Sequence, residues 1–241
     1  MNANEVDSDV FPILLRQTRD RIWEASKQGP FWQLATSSEG LNPRLYALVL
    51  RELYFCIRHA TQSLGIGAML CQTGEYEIAR FAYRHAADEV GHEHLIAADL
   101  VALGTEPGFL DVDPLLDTQA FIGYTYYLSM HRGARSRLGM TYWAEGSYGN
   151  FGSLLTALPS ALGLTPSQCT FLTSHAILDV DHFRAVESMI DSTCTTREAR
   201  DSVMTTLETS LVLFGRVLDG VAEVFRSGSA ERIFKQSSGA S

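Results

Sequence analysis

The sequence predicts a single-domain, all-α protein built as a bundle of about seven helices. Apolar residues recur at helical spacing along most of the chain, and no stretch alternates apolar and polar residues as a half-buried strand would. With 241 residues, of which 46% are hydrophobic and 20% charged, the chain can bury one sizeable core. We therefore expect one helical domain over residues 10–226, between a polar N-terminus (1–9) and a Ser/Gly-rich flexible tail (227–241).

Helix start and stop residues divide the chain into these helices. Asn42 is a favourable N-cap and Pro43 follows it at the first helical position, while Gly104 stands directly after a long apolar-periodic run. Thr165, followed by Pro166, predicts a later helix start in the same way. These signals predict helices over about 10–27, 43–65, 76–103, 116–130, 136–158, 165–190 and 195–226, with a short connector or one-turn helix at 31–34.

Two segments repeat one pattern of histidine and carboxylate. In each, a carboxylate follows the first histidine by four positions and a second histidine comes three positions later: His85, Glu89 and His92, then His175, Asp179 and His182. In a helix these positions share one face. One copy alone could equally be a structural cluster on a helix surface. Two copies favour facing helices that build a two-metal carboxylate site, because burying so many ionisable groups without a cation costs several kcal/mol apiece.

Two further glutamates lie in apolar surroundings. Glu145 is isolated in a stretch rich in glycine and aromatic residues, where the glycines indicate close helix approach or room for a bound molecule. Glu52 lies on the helix over residues 43–65, seven positions before His59, so either side chain could face inward. A structural ion pair with Arg51 or Arg58 is the alternative role for Glu52. An isolated buried acid needs a partner, and a metal ion is a good one for Glu145.

Composition argues against several kinds of partner. The net charge of −9, without any basic run, argues against nucleic-acid binding. No stretch approaches the roughly 20 uninterrupted apolar residues of a membrane span, and the polar, acidic start is unlike a signal peptide. The four cysteines are scattered without a C-x-x-C pair, so neither a zinc ribbon nor a disulfide framework is indicated. We predict a cytoplasmic protein without a membrane partner.

The predicted site has the ligand chemistry of a two-metal centre. Imidazoles and carboxylates without thiolates suit iron or manganese, and less specifically zinc. Two Fe(II) ions with open positions can bind and reduce O₂, while the protein places a small-molecule substrate; manganese could replace iron. The candidates are too many for one catalytic zinc and fit two bridged ions. They come from four helices and are Glu52, Glu89, His92, Glu145, His175, Asp179 and His182.

This pattern resembles the haem-oxygenase-like di-iron oxidases, which share the helical fold of haem oxygenase but bind non-haem iron. The H-x-x-x-D-x-x-H motif of His175, Asp179 and His182 matches theirs position for position, and Glu89 with His92 resembles their other metal-binding helix. The resemblance covers about residues 43–226. It implies an O₂-dependent oxidoreductase of specialised metabolism that acts on an amino acid or a fatty acid. The implied reaction is hydroxylation, desaturation, C–C cleavage or N-oxygenation. Homodimers are common for the fold.

Several alternatives stay open within this interpretation. His85 stands where some members of the family carry a carboxylate ligand, so it could be a ligand, a proton relay or a neighbour of the ligands. A cofactorless oxidase similar to the one that completes pyrroloquinoline quinone, or a thiaminase-like enzyme with a cysteine nucleophile, would have the same fold without the metal. A non-catalytic iron-binding helical protein would keep the metal but need no substrate pocket.

Overall fold

The fold is all-α, as the sequence predicts, and every element found in the described residues is helical. The structure is a computed structural model that describes residues 10–37, 40, 42–147, 150–151, 160, 162–165 and 168–236. For residues 107, 172–180 and 236 it describes the backbone only. In these ranges, no helix combines the length and apolar character that crossing a membrane requires.

The helices follow one another with short connections. A 3₁₀ turn (Pro107–Leu110) precedes α6, and a π-helical turn (Leu128–Arg132) joins α6 directly to α7. The α-helices are α1 (Phe11–Ser26), α2 (Pro30–Ala35), α3 (Pro43–Met69), α4 (Tyr76–Asp88), α5 (His92–Ala102), α6 (Leu116–Tyr127), α7 (Gly133–Glu145), α8 (Thr170–Thr193), α9 (Arg197–Arg226) and α10 (Ala230–Gln236).

Helix α9 is the centre of the bundle and packs against α1, α2, α3, α6 and α7. The core beside it is aromatic: Trp23 of α1 is fully buried and meets Trp143 edge-on with ring centroids 6.3 Å apart. The indole N–H of Trp143 donates to the hydroxyl of Ser210 on α9 at 2.7 Å, so the polar atom of this large side chain is satisfied within the core. This packing holds α7, which carries Glu145, against the centre of the bundle.

Local start signals place α3 as predicted. The side chain of Asn42 accepts hydrogen bonds from the backbone N–H groups of Arg44 and Leu45, and Pro43 is the first helical residue.

One boundary lies inside a predicted helix. The helix predicted over 76–103 is divided into α4 and α5, because Gly91 has a φ of 89°, a left-handed conformation that ends one helix before the next begins at His92.

Two later boundaries also differ from the prediction. Helix α7 ends at Glu145, whereas the sequence predicts a helix to residue 158; residues 148–149 and 152–158 of that prediction lie outside the described part. The segment predicted as a flexible tail contains α10, which packs through buried Ala230 and Ile233. Phe234 of α10 stacks on Phe109 with ring centroids 4.9 Å apart, so apolar burial orders residues 230–236.

Helix α8 begins at Thr170 because a buried carboxylate from another helix caps it. Asp99 of α5 accepts hydrogen bonds from the N–H of Thr170 at 2.8 Å, its hydroxyl at 2.7 Å and the N–H of Phe171 at 3.0 Å. The sequence predicts the start about five residues earlier, at Thr165, since the cap lies far away in the chain.

We expect Asp99→Ala to lower the free energy of unfolding by about 3 kcal/mol or more, because three buried donors lose their charged acceptor. Urea denaturation measures this change. Asp201→Ala is the control, since the Asp201 side chain is 71% exposed and its pairing with Arg197 at 3.5 Å contributes little. An equal, small change in both variants would contradict the capping role.

Candidate metal centre

Two imidazoles and two carboxylates meet where α4, α7 and α8 pack together. Each of His85, Glu89, Glu145 and His182 offers a ligand atom, and these atoms lie within 4.8 Å of one another. His85 lies in the last turn of α4, Glu89 caps that helix, Glu145 is the last residue of α7 and His182 lies within α8. Three helices distant in sequence therefore supply one cluster.

Glu145 is the hub of the cluster. Its Oε1 lies 3.1 Å from Nε2 of His85 and its Oε2 lies 3.4 Å from Nδ1 of His182. Burial raises the pKa of Glu145, but the hydrogen bonds from His182 and His85 outweigh it and lower the pKa to about 2. Its side chain is only 11% exposed, so an ionised carboxylate is held in a largely dry place.

Glu89 is the second carboxylate of the cluster. Its Oε1 lies 3.8 Å from Nδ1 of His182 and 4.0 Å from Nε2 of His85. Its Oε2 lies 3.0 Å from Nδ1 of His92, so His92 reaches the edge of the cluster even though it begins a new helix. That hydrogen bond is the largest effect on His92 and raises the pKa of its imidazole despite the opposing effect of burial. The E-x-x-H pair predicted from sequence is thus brought together.

The two imidazoles of the cluster lie beside each other, with ring centroids of His85 and His182 5.2 Å apart. The hydrogen bond to Glu145 is the largest effect on His182 and raises the pKa of its imidazole to about 9, against the opposing effect of burial. Phe81 packs edge-on against His85 at 5.7 Å, which places apolar surface behind this imidazole.

This arrangement fits a divalent metal ion. Ligand atoms bound to one ion at about 2.1 Å lie roughly 3 to 4 Å from one another. The distances of 3.1 Å and 3.4 Å at Glu145, and of 3.8 Å and 4.0 Å at Glu89, fall in this range. Mixed imidazole and carboxylate donors are those that iron and manganese accept. The remaining pairs of ligand atoms lie within 4.8 Å of each other, so we conclude that the donor set can close around such a metal.

The other predicted ligands have different outcomes. Helix α8 contains His175 and Asp179, but their side chains lie outside the described part, so their role stays a prediction. The structure does not bring Glu52 to the cluster: its buried carboxylate pairs with Arg51 and accepts the N–H of Leu115 at 3.0 Å. This is the structural ion pair that the sequence left open, formed in the core instead of on a wet edge.

Two histidines whose roles the sequence left unsettled are also placed. Nδ1 of His59 lies 2.9 Å from the hydroxyl of Tyr126, which donates to Gln62, so His59 belongs to a separate polar group between α3 and α6. His85, which sequence reasoning kept out of the ligand set, lies at the centre of the cluster. The signal for His85 was its position in the repeated histidine pattern, one helical turn before Glu89.

Metal affinity is expected to rise with pH between about 6 and 9. The pKa of His182 is raised to about 9 in the metal-free protein, so this imidazole is mostly protonated at neutral pH and must lose its proton to bind metal. The carboxylate of Glu145, with a pKa of about 2, stays ionised throughout. Mn(II) titration calorimetry at several pH values should show affinity rising by up to about tenfold per unit.

Calorimetry in buffers of different ionisation enthalpy should also count about one or more protons released on metal binding at pH 7.5. His94→Ala is the matched control, because His94 is an exposed histidine on α5 near the cluster. The pH dependence should persist in this variant. A metal affinity that does not change over this pH range would show that no protonated imidazole is displaced.

Comparison with known proteins defines the class first. The fold is the haem-oxygenase-like all-α fold: a solved domain of unknown function with this fold, from Shewanella denitrificans, is 30% identical over 90% of this chain and 95% of that one, with a TM-score of 0.82. Two TenA homologues share the fold alone. The one from Pseudomonas syringae is 12% identical over 90% of this chain and 96% of that one, with a TM-score of 0.72. The one from Pyrococcus furiosus is 10% identical over 88% of this chain and 99% of that one, with a TM-score of 0.69.

The family is narrower than the fold. Residues 48–214 match the sequence profile of a family described as iron-containing redox enzymes, and the chain belongs to this family. The matched range includes the three helices that supply the cluster. The search among curated proteins finds no match for this sequence. The predicted resemblance to an iron-dependent family with a haem-oxygenase-like fold is confirmed.

Proposed function

We propose that the protein is an O₂-dependent, non-haem di-iron oxidase or oxygenase that acts on a small amino-acid-like or fatty-acid-like substrate. The observation that carries this proposal is the buried cluster of His85, Glu89, Glu145 and His182 in an iron-containing redox enzyme. Iron held by such ligands with open positions can bind O₂ and activate it by reduction. One ion would use this cluster.

A second ion requires further ligands, and the sequence supplies them nearby. His92 lies against Glu89, while His175 and Asp179 belong to the helix that carries His182. We therefore propose Glu89, His92, Glu145, His175, Asp179 and His182 as ligands, with His85 in place of Glu52 as the further member. Carboxylates that meet imidazoles from several helices are the usual construction of a carboxylate-bridged pair of ions in a helical bundle.

The described residues would have three roles in such an enzyme. Glu145 and Glu89 would provide negative charge that offsets the charge of the metal, and His85 and His182 would supply imidazole donors beside them. Burial of Glu145 and Glu89 limits water at the site, which favours oxidation of a bound substrate over side reactions.

The four cysteines are free in the structure, which fits the reducing cytoplasm that we infer as the compartment.

An anaerobic Fe(II) titration of metal-free protein tests the proposal. We expect about two irons per chain, followed by O₂ uptake that accelerates when the right amino acid or fatty acid is added. The paired variants are His182→Ala, which removes a proposed ligand, and Asp181→Asn, which removes the 89% exposed neighbouring carboxylate. Only His182→Ala should lose iron. Trace iron in folded wild-type protein would refute the proposal, and many irons per chain without O₂-coupled substrate oxidation would indicate storage.

A thiaminase-like function is disfavoured by the cysteines. Burial raises the pKa of each of the four thiols, Cys56, Cys71, Cys169 and Cys194, whereas a nucleophilic cysteine needs a lowered pKa. No cysteine contributes to the cluster among the described residues. Similarity to TenA homologues therefore reflects the shared helical fold and carries no argument for their chemistry.

A further inference from the structure

Two arginines are buried in the bundle, and their partners differ. Arg51 is 0% exposed and its charge is compensated: it pairs with Glu52 and donates to backbone carbonyls in and after the 3₁₀ turn. Arg137 on α7 is 3% exposed, and its Nη1 donates to the carbonyl of Thr125 at 3.3 Å and to the hydroxyl of Ser129 at 3.2 Å. Both partners of Arg137 are therefore neutral, and both accept from the same nitrogen, Nη1.

Arg137 lacks an anion. Among the described residues, no carboxylate lies within 4.0 Å of its guanidinium, its buried Nε has no hydrogen-bond partner, and Nη2, which is not fully buried, makes no hydrogen bond. An unpaired buried charge of this kind is strongly unfavourable, which is why buried arginines are nearly always paired. Burial lowers the pKa of Arg137 to about 10, against an opposing effect of Tyr126. The fold therefore maintains an unfavourable charge that a bound anion would compensate.

The two partnerless nitrogens have the geometry that a carboxylate recognises. Nε and Nη2 lie on one edge of the planar guanidinium, and parallel N–H groups on such an edge bind the two oxygens of a carboxylate together. One buried hydroxyl, that of Ser129, accepts from Arg137 directly, and the backbone carbonyl of Thr125 is the other acceptor. Buried Thr141 is one turn further along α7, and its hydroxyl donates to the backbone carbonyl of Arg137. This group differs from the buried Arg51–Glu52 pair in that its charged member has no carboxylate partner.

Arg137 and the proposed metal ligand Glu145 belong to the same helix. They are eight residues apart, which corresponds to about 12 Å along the axis and roughly 80° around it, with Thr141 midway between them. A molecule bound at Arg137 would have to span this distance to reach the metal cluster. The distance suits a substrate that is anchored at one end and oxidised at the other.

We propose that Arg137 binds an oxyanion, namely the carboxylate of the acid on which the enzyme acts, and so selects acids as substrates. That this anion is the substrate rests on the proposed function, whereas anion binding at Arg137 does not. Holding the carboxylate on Arg137 would also fix which carbon of the substrate faces the metal cluster, because the anchor is rigid and buried.

The first test uses the wild-type protein, metal-free and Mn(II)-loaded, without O₂. Its melting temperature is measured with a series of saturated fatty acids and with the amino acids, and then with the primary amide of each acid that raises it. We expect an acid to stabilise both forms of the protein and its amide to have little effect. Equal stabilisation by acid and amide, stabilisation by inorganic phosphate alone, or no stabilisation by any acid would overturn the proposal.

The second test compares Arg137→Met with Arg21→Gln, which removes an arginine whose side chain is 68% exposed. Arg137→Met should reduce affinity for the acid at least about thirtyfold, as loss of a buried ion-pair partner does, and Arg21→Gln should not. Ligand-free Arg137→Met should be as stable as wild type or more stable, since an unpaired buried charge is removed. A structural arginine would instead lower stability equally with and without the acid.

The outcomes separate this site from the proposed function. Acid binding that depends on Arg137 in a protein that takes up no iron would leave the site standing and refute the oxygenase. Two irons per chain with substrate-accelerated O₂ uptake, but acid affinity unchanged in Arg137→Met, would refute the site alone. Acid binding that persists in Arg137→Met only when Mn(II) is present would show that the metal holds the carboxylate, and would overturn the proposal.

Discussion

Glu145→Gln should reduce bound iron from about two ions per chain to fewer than one, the largest functional effect that we expect from a single substitution. Glutamine keeps the size of the side chain but removes the negative charge that His85 and His182 both contact. A neutral amide is a poor ligand for a divalent ion. Where two ions share one carboxylate, removal of that carboxylate weakens the binding of both ions. Anaerobic Fe(II) titration with a chromogenic iron assay measures the loss.

The same substitution has a second readout that does not require metal. The pKa of His182 is raised to about 9 chiefly by its hydrogen bond to Glu145, so in metal-free Glu145→Gln it should fall toward the ordinary histidine value of about 6.5. Titration of the histidine ring protons by NMR follows this shift. Asp181→Asn is the control for both measurements. Full iron binding by Glu145→Gln would rule out Glu145 as a ligand, whatever happens to His182.

Local sequence signals predict most of the fold because they act over a few residues. Asn42 and Pro43 start α3 through contacts within one turn, and apolar periodicity identifies α1. Boundaries that depend on distant groups are not predictable in this way. The cap of α8 comes from Asp99, far along the chain, and the break before α5 depends on a backbone conformation that the sequence shows only as one glycine, Gly91.

The candidate site shows the same division. Histidine and carboxylate spacing along the chain is enough to predict that Glu89, His92 and His182 lie close together, because those positions share a helix face or a helix end. Spacing cannot show which buried acid finds a protein partner. Glu52 is neutralised by the adjacent Arg51, whereas Glu145 meets His85 only because α7 packs on α4. The partnerless Arg137 has no signal in the sequence at all.

Gly139→Ala should lower the free energy of unfolding by at least about 3 kcal/mol. A Cβ atom at residue 139 would lie 2.0 Å from the carbonyl oxygen of Val203 and 2.8 Å from the backbone nitrogen of Leu207, so α7 and α9 would have to move apart. Backbone atoms cannot rotate away as a flexible side chain can. The sequence predicts close helix approach from the glycines of this region, and Gly139 shows where it occurs.

Gly123→Ala is the matched control, because the same methyl group at this exposed position in α6 meets nothing within 4 Å. There the better helix propensity of alanine should raise stability by up to about 1 kcal/mol. Thermal unfolding should therefore show opposite shifts, with Gly139→Ala melting roughly 6–12 °C lower. Because Glu145 lies on the displaced helix, Gly139→Ala should also weaken Mn(II) binding while Gly123→Ala leaves it intact. Equal melting temperatures for the two variants would mean that the α7–α9 contact is looser than the structure shows.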